Sequence, residues 1–159
     1  MDGFEKDIDY MRRALELAGQ AAGDGEVPVG CLVVHGPSGR IVGEGRNRRE
    51  GAAEYRPSAL GHAELEAIGA ACAELGGWRL HECDLYVTLE PCPMCAGAAI
   101  NARIRRVVYG AADPKSGACV SKLALFECGL NHKPEVCGGV LAEECGKVLS
   151  DFFKTLRST

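Results

Sequence analysis

Two short segments of the chain carry side chains that could hold a metal ion and move protons beside it: His62-Ala63-Glu64 and Pro91-Cys92-Pro93-Met94-Cys95. Imidazole nitrogen and thiolate sulfur are ordinary zinc donors. Cysteines three apart on a helix project from the same face, so Cys92 and Cys95 can close on one ion. His62 supplies a third ligand. Structural zinc sites normally close with four protein ligands, whereas three leave a position for water, so this set points to catalysis with one Zn2+ per chain. Zinc lowers the pKa of such a water toward about 7, which gives hydroxide at neutral pH. Glu64 is close enough to take that water's proton without being needed as a ligand, and to return it to a ring nitrogen and then to a leaving amine. Singly, each segment is ambiguous, since a Cys-x-x-C pair also serves redox chemistry or a structural metal, and a lone histidine is usually an ordinary core or surface residue.

The elements around these segments must bring them together. His62 to about Leu75 is rich in helix formers and stops at Gly76-Gly77. Asp84 to Leu89 alternates as a strand does, and Cys92 to Ala102 reads as a helix directly after it. Both motifs therefore stand at helix starts, where the helix dipole favours thiolate, the metal-binding form. Upstream, Phe4, Ile8, Met11, Leu15, Ala18 and Ala22 fall at steps of three and four and mark an amphipathic helix over 4–22. Val27 to Val34 and Arg40 to Gly45 form a hairpin about Gly36-Pro37-Ser38-Gly39, and the polar stretch 46–61 is a long loop. Downstream come a strand over Arg106 to Tyr109, a short helix near Leu123 to Glu127, a weak strand near Val136 to Val140 and a closing helix from about Ala142 to Leu156. This order implies an α/β fold in three layers, α/β/α, with one central sheet flanked by helices on both faces.

A chain of 159 residues with 47% hydrophobic and 25% charged residues is read as a single domain over 1–159. No apolar run is long enough to span a bilayer. The acidic start Met1-Asp2-Gly3-Phe4-Glu5-Lys6-Asp7 has neither the positive nor the apolar stretch of a secretion signal, so a cytoplasmic location is expected. Nine cysteines, two of them in the Cys92–Cys95 pair, suit metal chemistry better than a disulfide framework, and the other seven read as small buried apolar residues. A net charge of −4 gives no global attraction to phosphate. Local attraction would have to come from the arginines at 46, 48, 49 and 56, from Arg103, Arg105 and Arg106, or from Lys154 in the closing helix.

With both segments in order, the pattern H-x-E followed by P-C-x-x-C is the known signature of zinc nucleobase deaminases. The chain further resembles the bacterial tRNA-specific adenosine deaminases, of the cytidine deaminase-like superfamily. The likeness runs through Glu26-Val27-Pro28-Val29-Gly30, Gly45-Arg46-Asn47-Arg48, the run Leu85 to Ala98, Arg106 to Ala111, Asn131-His132 and Ser150-Asp151-Phe152-Phe153, nearly the whole chain. The resemblance implies a central mixed sheet flanked by helices, a homodimer with active sites near the subunit interface, and the tRNA anticodon loop as partner. It also implies hydrolytic deamination of adenosine to inosine at the wobble position. By the same resemblance Asn47 contacts the flipped base, and Val27 and Pro28 line its pocket.

Two segments depart from the family pattern. Arg56-Pro57-Ser58-Ala59-Leu60-Gly61 replaces a shorter Asp-Pro-Thr-Ala type approach, with glycine where alanine is more usual, and Cys119-Val120-Ser121-Lys122 replaces a glycine- or serine-rich stretch. Both would border the substrate. The competing readings are a deaminase of the same superfamily acting on guanine, cytosine or a nucleotide, with identical zinc machinery, and a zinc-stabilised binding module without catalysis. Glu64 counts against the last, because a structural zinc has no use for a carboxylate beside an open position.

Overall fold

A computed structural model describes residues 2–158. Helix α1 (Gly3–Gly23) is followed by the hairpin β1 (Gly30–His35) and β2 (Arg40–Arg46), then α2 (Ala63–Leu75), β3 (Cys83–Leu89), α3 (Pro93–Asn101) and β4 (Arg106–Ala111). A short 3-10 turn (Leu125–Glu127), the strand β5 (Glu135–Gly138) and α4 (Ala142–Arg157) complete the chain.

The five strands form one mixed sheet in the order β2-β1-β3-β4-β5. β1 is antiparallel to both β2 and β3, whereas β3, β4 and β5 run parallel. Alternation along the strands divides the core into two faces, as the period of two in a strand requires. Cys31, Val33, Leu85, Val87, Val107 and Tyr109 pack with Ala67, Ala71, Ala99 and Ile100 of α2 and α3. Leu32, Val34, Tyr86 and Val108 pack with Met11, Ala14 and Leu17 of α1 and Cys145 of α4. The fold is therefore α/β/α, with α2 and α3 on one side and α1 and α4 on the other.

Two features set the position of α2, which carries half of the candidate chemistry. Gly43 and Gly45 of β2 lie against the helix backbone, and a Cβ at either would collide with the carbonyl oxygens of Ala67 and Ala63. Glycine at these strand positions lets the first turn of α2 rest directly on the sheet. α3 then joins the parallel neighbours β3 and β4, so its N-terminus stands at the carboxyl end of β3, where open α/β sheets commonly build their sites.

Among the described residues, no helix is long and apolar enough to cross a membrane. The expected strand at Val27 begins only at Gly30. Pro28 has no N–H to give a ladder, and the Val29 amide instead turns back onto the Val27 carbonyl at 2.9 Å.

Candidate active site

His62 and Cys92 occupy equivalent places, each the extended residue capping a helix N-terminus, at φ −89° and ψ 143° before α2 and φ −73° and ψ 173° before α3. Neither side chain caps its own helix. Both are left free to face the gap between the two helix starts, with Pro93 opening α3 at a position where the missing N–H does no harm. Cys95 lies one turn further along, 1% exposed.

The structure brings these three together. The Nδ1 atom of His62 is 3.6 Å from Cys92 Sγ and 3.5 Å from Cys95 Sγ. All three donor atoms fall within 4.8 Å of one another. Donors at zinc–nitrogen and zinc–sulfur bond lengths stand roughly 3.6 Å apart at the corners of a tetrahedron, so both the spacing and the donor chemistry fit zinc. A hydrogen bond from Cys95, with help from His62, draws the Cys92 thiol down to about 4, and the same contact pushes Cys95 up. His62 is raised chiefly by Cys92.

Glu64 sits in the first turn of α2 and is 4% exposed. Burial pushes its carboxyl up to about 7. With His62, Cys92 and Asn47 it lines a pocket of about 190 Å³, below the range of roughly 300–1,000 Å³ usual for drug-sized ligands and suited to one planar base. Asn47 is buried, and its carboxamide oxygen accepts the Ala63 amide at 3.0 Å, capping α2 in place of His62. What Asn47 can offer the pocket is therefore its NH2 group, a donor to a ring nitrogen or carbonyl. Val27 lines the pocket as well. Pro28 does not: it is buried beside the pocket, and Val29, two residues from Val27, takes the second place on the wall.

Residues 5–157 match the family model of the MafB19-like deaminases. The chain belongs to that family. It is 48% identical over 149 residues to a tRNA-specific adenosine deaminase of Bacillus subtilis (strain 168), a match covering 93% of this chain and 89% of that protein. A solved structure from work on A-to-I editing by tRNA:A34 deaminases at the wobble position of transfer RNA superposes with a TM-score of 0.81 at 42% identity. That match covers 89% of this chain and 99% of the other. A guanine deaminase from Nitrosomonas europaea is similar at 27% identity with a TM-score of 0.74, over 89% of this chain and 81% of that one.

Two buried carboxylates shape the mouth of the deaminase pocket, and sequence reasoning assigned neither a role. Glu26, 1% exposed, accepts the amides of Arg49, Glu50 and Gly51 and the Tyr55 hydroxyl, at 2.7 to 3.3 Å. Glu90, 2% exposed, accepts the amides of Asp113, Cys119, Val120 and Ser121 and the Ser121 hydroxyl. Each immediately precedes a segment of the site, Val27 in one case and Pro91-Cys92 in the other; Glu90 ties down the departing segment 119–122, and Glu26 the turn that leads into the other, 56–61. No sequence signal marks them: Glu26 follows Gly23-Asp24-Gly25 in a polar turn, and Glu90 reads as well as a solvated strand end.

Burial alone would raise both carboxyls, but the hydrogen bonds outweigh it and hold Glu26 and Glu90 below their ordinary value of 4.5. A depressed folded pKa contributes stability that is present above 4.5 and is lost as the pH falls through the folded value. The Glu90→Gln variant should therefore unfold about 5 °C below the parent chain at pH 7, given what charged hydrogen bonds contribute. The gap should narrow below about pH 4 as the parent's carboxylate is protonated. Thermal unfolding followed from pH 7 to 3 checks this, and a gap that stayed constant would contradict it.

The arginine clusters are redistributed by the fold. Arg105 is bidentate to Asp84 and Arg106 to Asp7, at the opposite end of the sheet from the zinc-type donors. Arg103 is turned onto the carbonyls of Ile100 and Asn101. A larger cavity of about 640 Å³ lies at that end, lined by these ion pairs and by none of the candidate catalytic residues. Arg46 is held by Asp24 and Gln20. Lys154 lies in the last turn of α4, away from the pocket lining.

Proposed function

We propose that this deaminase converts adenosine to inosine at the wobble position of a tRNA anticodon, with water as co-substrate and ammonia as the second product. The observation that carries this reading is a base-sized pocket lined by His62, Cys92 and Glu64, with Cys95 closing the donor group of the first two, in a chain whose tRNA-acting relatives are far more similar to it than the guanine deaminase is. His62, Cys92 and Cys95 would hold one zinc per chain. Zinc bound there would acidify a water for attack at neutral pH.

The protein's own groups do the rest. Asn47 presents its amide donors to the base, Val27 and Val29 pack against its face, and the pocket admits it only when it is extruded from its strand. Glu64 is placed to take the proton that the attacking water gives up. It then passes the proton to a ring nitrogen and assists the departing amine as the C6–N bond breaks and the C6–O bond is completed. Adenosine in an anticodon loop is already unpaired, so extrusion should cost less than the few kcal/mol needed in a duplex.

The test is incubation of the zinc-loaded protein with an anticodon stem-loop bearing wobble adenosine, beside free guanine, cytosine and adenosine, with ammonia and inosine measured. The stem-loop should be converted far faster than the nucleoside, and conversion should fall as salt rises because backbone contacts release counterions. Efficient deamination of guanine or cytosine with the stem-loop untouched would replace this reading with the small-molecule one.

We further infer a cytoplasmic homodimer built from single-domain chains. Its support is the small-residue helix α3, where Gly97 and Ala98 are half-buried and a Cβ added at Gly97 would meet nothing within 4 Å. Such a face allows close approach of a second chain. Light scattering at micromolar concentration should give twice the chain mass, and monomer alone would contradict the dimer.

A further inference from the structure

Five of the twelve arginines of this chain are committed to carboxylates. Arg13 pairs with Glu16 and Glu44, Arg40 with Glu74, Arg46 with Asp24, Arg105 with Asp84 and Arg106 with Asp7. Arg49 is different. It is exposed, it lines the pocket beside His62 and Glu64, and among the described residues its guanidinium has no hydrogen bond or ion pair. Of the residues described as lining that pocket, it alone carries a guanidinium or ammonium group.

The backbone beneath Arg49 is fixed, although its side chain is not. Its amide donates to Glu26 at 2.8 Å, and the next two amides are tied to the same carboxylate. Arg48, one residue earlier, donates its amide to the Gly61 carbonyl at 2.8 Å and lays its guanidinium over the Tyr55 ring at 5.2 Å. Gly61 is required for that closure, since a Cβ there would collide with the Arg48 carbonyl. The glycine that departs from the family pattern thus belongs to the device that aims Arg49. A preorganised backbone leaves only side-chain rotamers to be ordered when a ligand arrives.

The rest of the mouth explains the need for a cation. Glu64 and Asp113 both line it, while the Glu90 charge is spent on loop amides. A polyanionic strand approaching this opening meets the half-buried Asp113 carboxylate, and Arg49 is the one guanidinium or ammonium group among the residues described as lining it. A guanidinium matches a phosphate in charge and in its paired donors.

We propose that Arg49 binds a phosphate flanking the extruded adenosine, and that the Glu26-anchored turn serves to present it there. This rests on the RNA-directed reading above and adds the residue that takes the strand's charge nearest the reacting base. The experiment is a coupling cycle with the zinc-loaded full-length protein. The parent and Arg49→Ala are each given a stem-loop with natural linkages and one with an uncharged methylphosphonate linkage on either side of the wobble adenosine, and kcat/KM is measured.

One of the two neutralised linkages should cost the parent roughly tenfold, as expected for one charged hydrogen-bonded contact. Arg49→Ala should lose about as much on the natural stem-loop, and the variant on the neutralised stem-loop should lose little more. Arg49→Lys should recover part of the loss, because it keeps the charge without the fork. The slope of log binding constant against log salt should also fall by about 0.7 in Arg49→Ala, the share of a single phosphate on a single strand. Losses that simply multiply, or an Arg49→Ala variant equal to the parent, would overturn the proposal while leaving the deaminase reading intact. A parent chain that failed to convert the natural stem-loop would instead remove the reading on which the proposal stands.

Discussion

Replacing Glu64 with alanine is expected to abolish turnover while the purified protein keeps its zinc. The donors that converge are His62, Cys92 and Cys95, and the Glu64 carboxylate stands beside that group without belonging to it. A positioned general acid–base group contributes typically about 10²–10⁴-fold, and Glu64 is asked to serve two proton transfers in one cycle, so a loss of at least about 10³-fold is expected. Glu64→Gln should fail as badly, because the amide keeps the shape of the side chain but cannot carry the proton. Equal losses in the two variants would separate proton transfer from packing. Glu64 is 4% exposed, and a desolvated carboxylate is held there against the preference of an ionised group for water. Neither variant should therefore unfold earlier than the parent, and a gain in stability would be the usual exchange of stability for function at such a site. Elemental analysis and an inosine assay decide the matter. Activity within tenfold of the parent, or loss of zinc from the variants, would end the proposed role.

The parts of the site that could be read in the sequence are those made by local rules. Cys92 and Cys95 are three apart on one helix, His62 and Glu64 share one helix start, and Gly76 marks where α2 stops, in the left-handed conformation at φ 74°. The strands were legible as short runs between turn formers, although β1, β3 and β4 are buried on both faces and alternate only in which side of the sheet each residue packs on. The other wall of the pocket was not. Leu89, Asp113 and Ser116 reach it from a strand end and a loop distant in sequence, and no spacing rule connects them to His62. The resemblance placed Val27 and Pro28 there together; the lining holds Val27 and Val29, and Pro28 lies between them in a segment that precedes β1.

Charge was the least legible property, because its meaning depends on partners far away in the chain. Arg106 and Asp7 are 99 residues apart yet form a bidentate pair that Tyr86 also joins. The three arginines at 103, 105 and 106 read equally as a local phosphate attraction or a solvated loop; Arg105 and Arg106 are instead the polar anchorage of β4 to β3 and α1, and Arg103 caps the end of α3. Glu26 and Glu90 were equally opaque. A carboxylate that organises a loop is indistinguishable in sequence from a solvated one until the amides that it accepts are known.

Cys92→Ser and Cys95→Ser should each lose most of their zinc, and with it essentially all activity. Serine keeps roughly the size of the side chain but offers a hydroxyl that stays protonated at neutral pH and binds zinc far more weakly than the anionic thiolate it replaces. A site with three protein ligands has none to spare. Even groups that only orient a ligand change metal affinity by about 10–100-fold, so removal of a ligand itself should exceed that. The effect should be specific to this pair. Cys145 is also 1% exposed, but it packs between α4 and the far face of the sheet, so Cys145→Ser should keep full zinc occupancy. A bound ion also adds stability in proportion to the logarithm of its concentration over its dissociation constant. The unfolding midpoint of the parent should therefore drop on chelation and recover on zinc addition, whereas those of the two site variants should barely respond to either treatment. Full zinc occupancy in Cys92→Ser or Cys95→Ser would show that the metal is held elsewhere. Zinc retained by Glu64→Ala but lost from both serine variants would assign holding and proton transfer to different side chains of one pocket, as their positions at the two helix starts require.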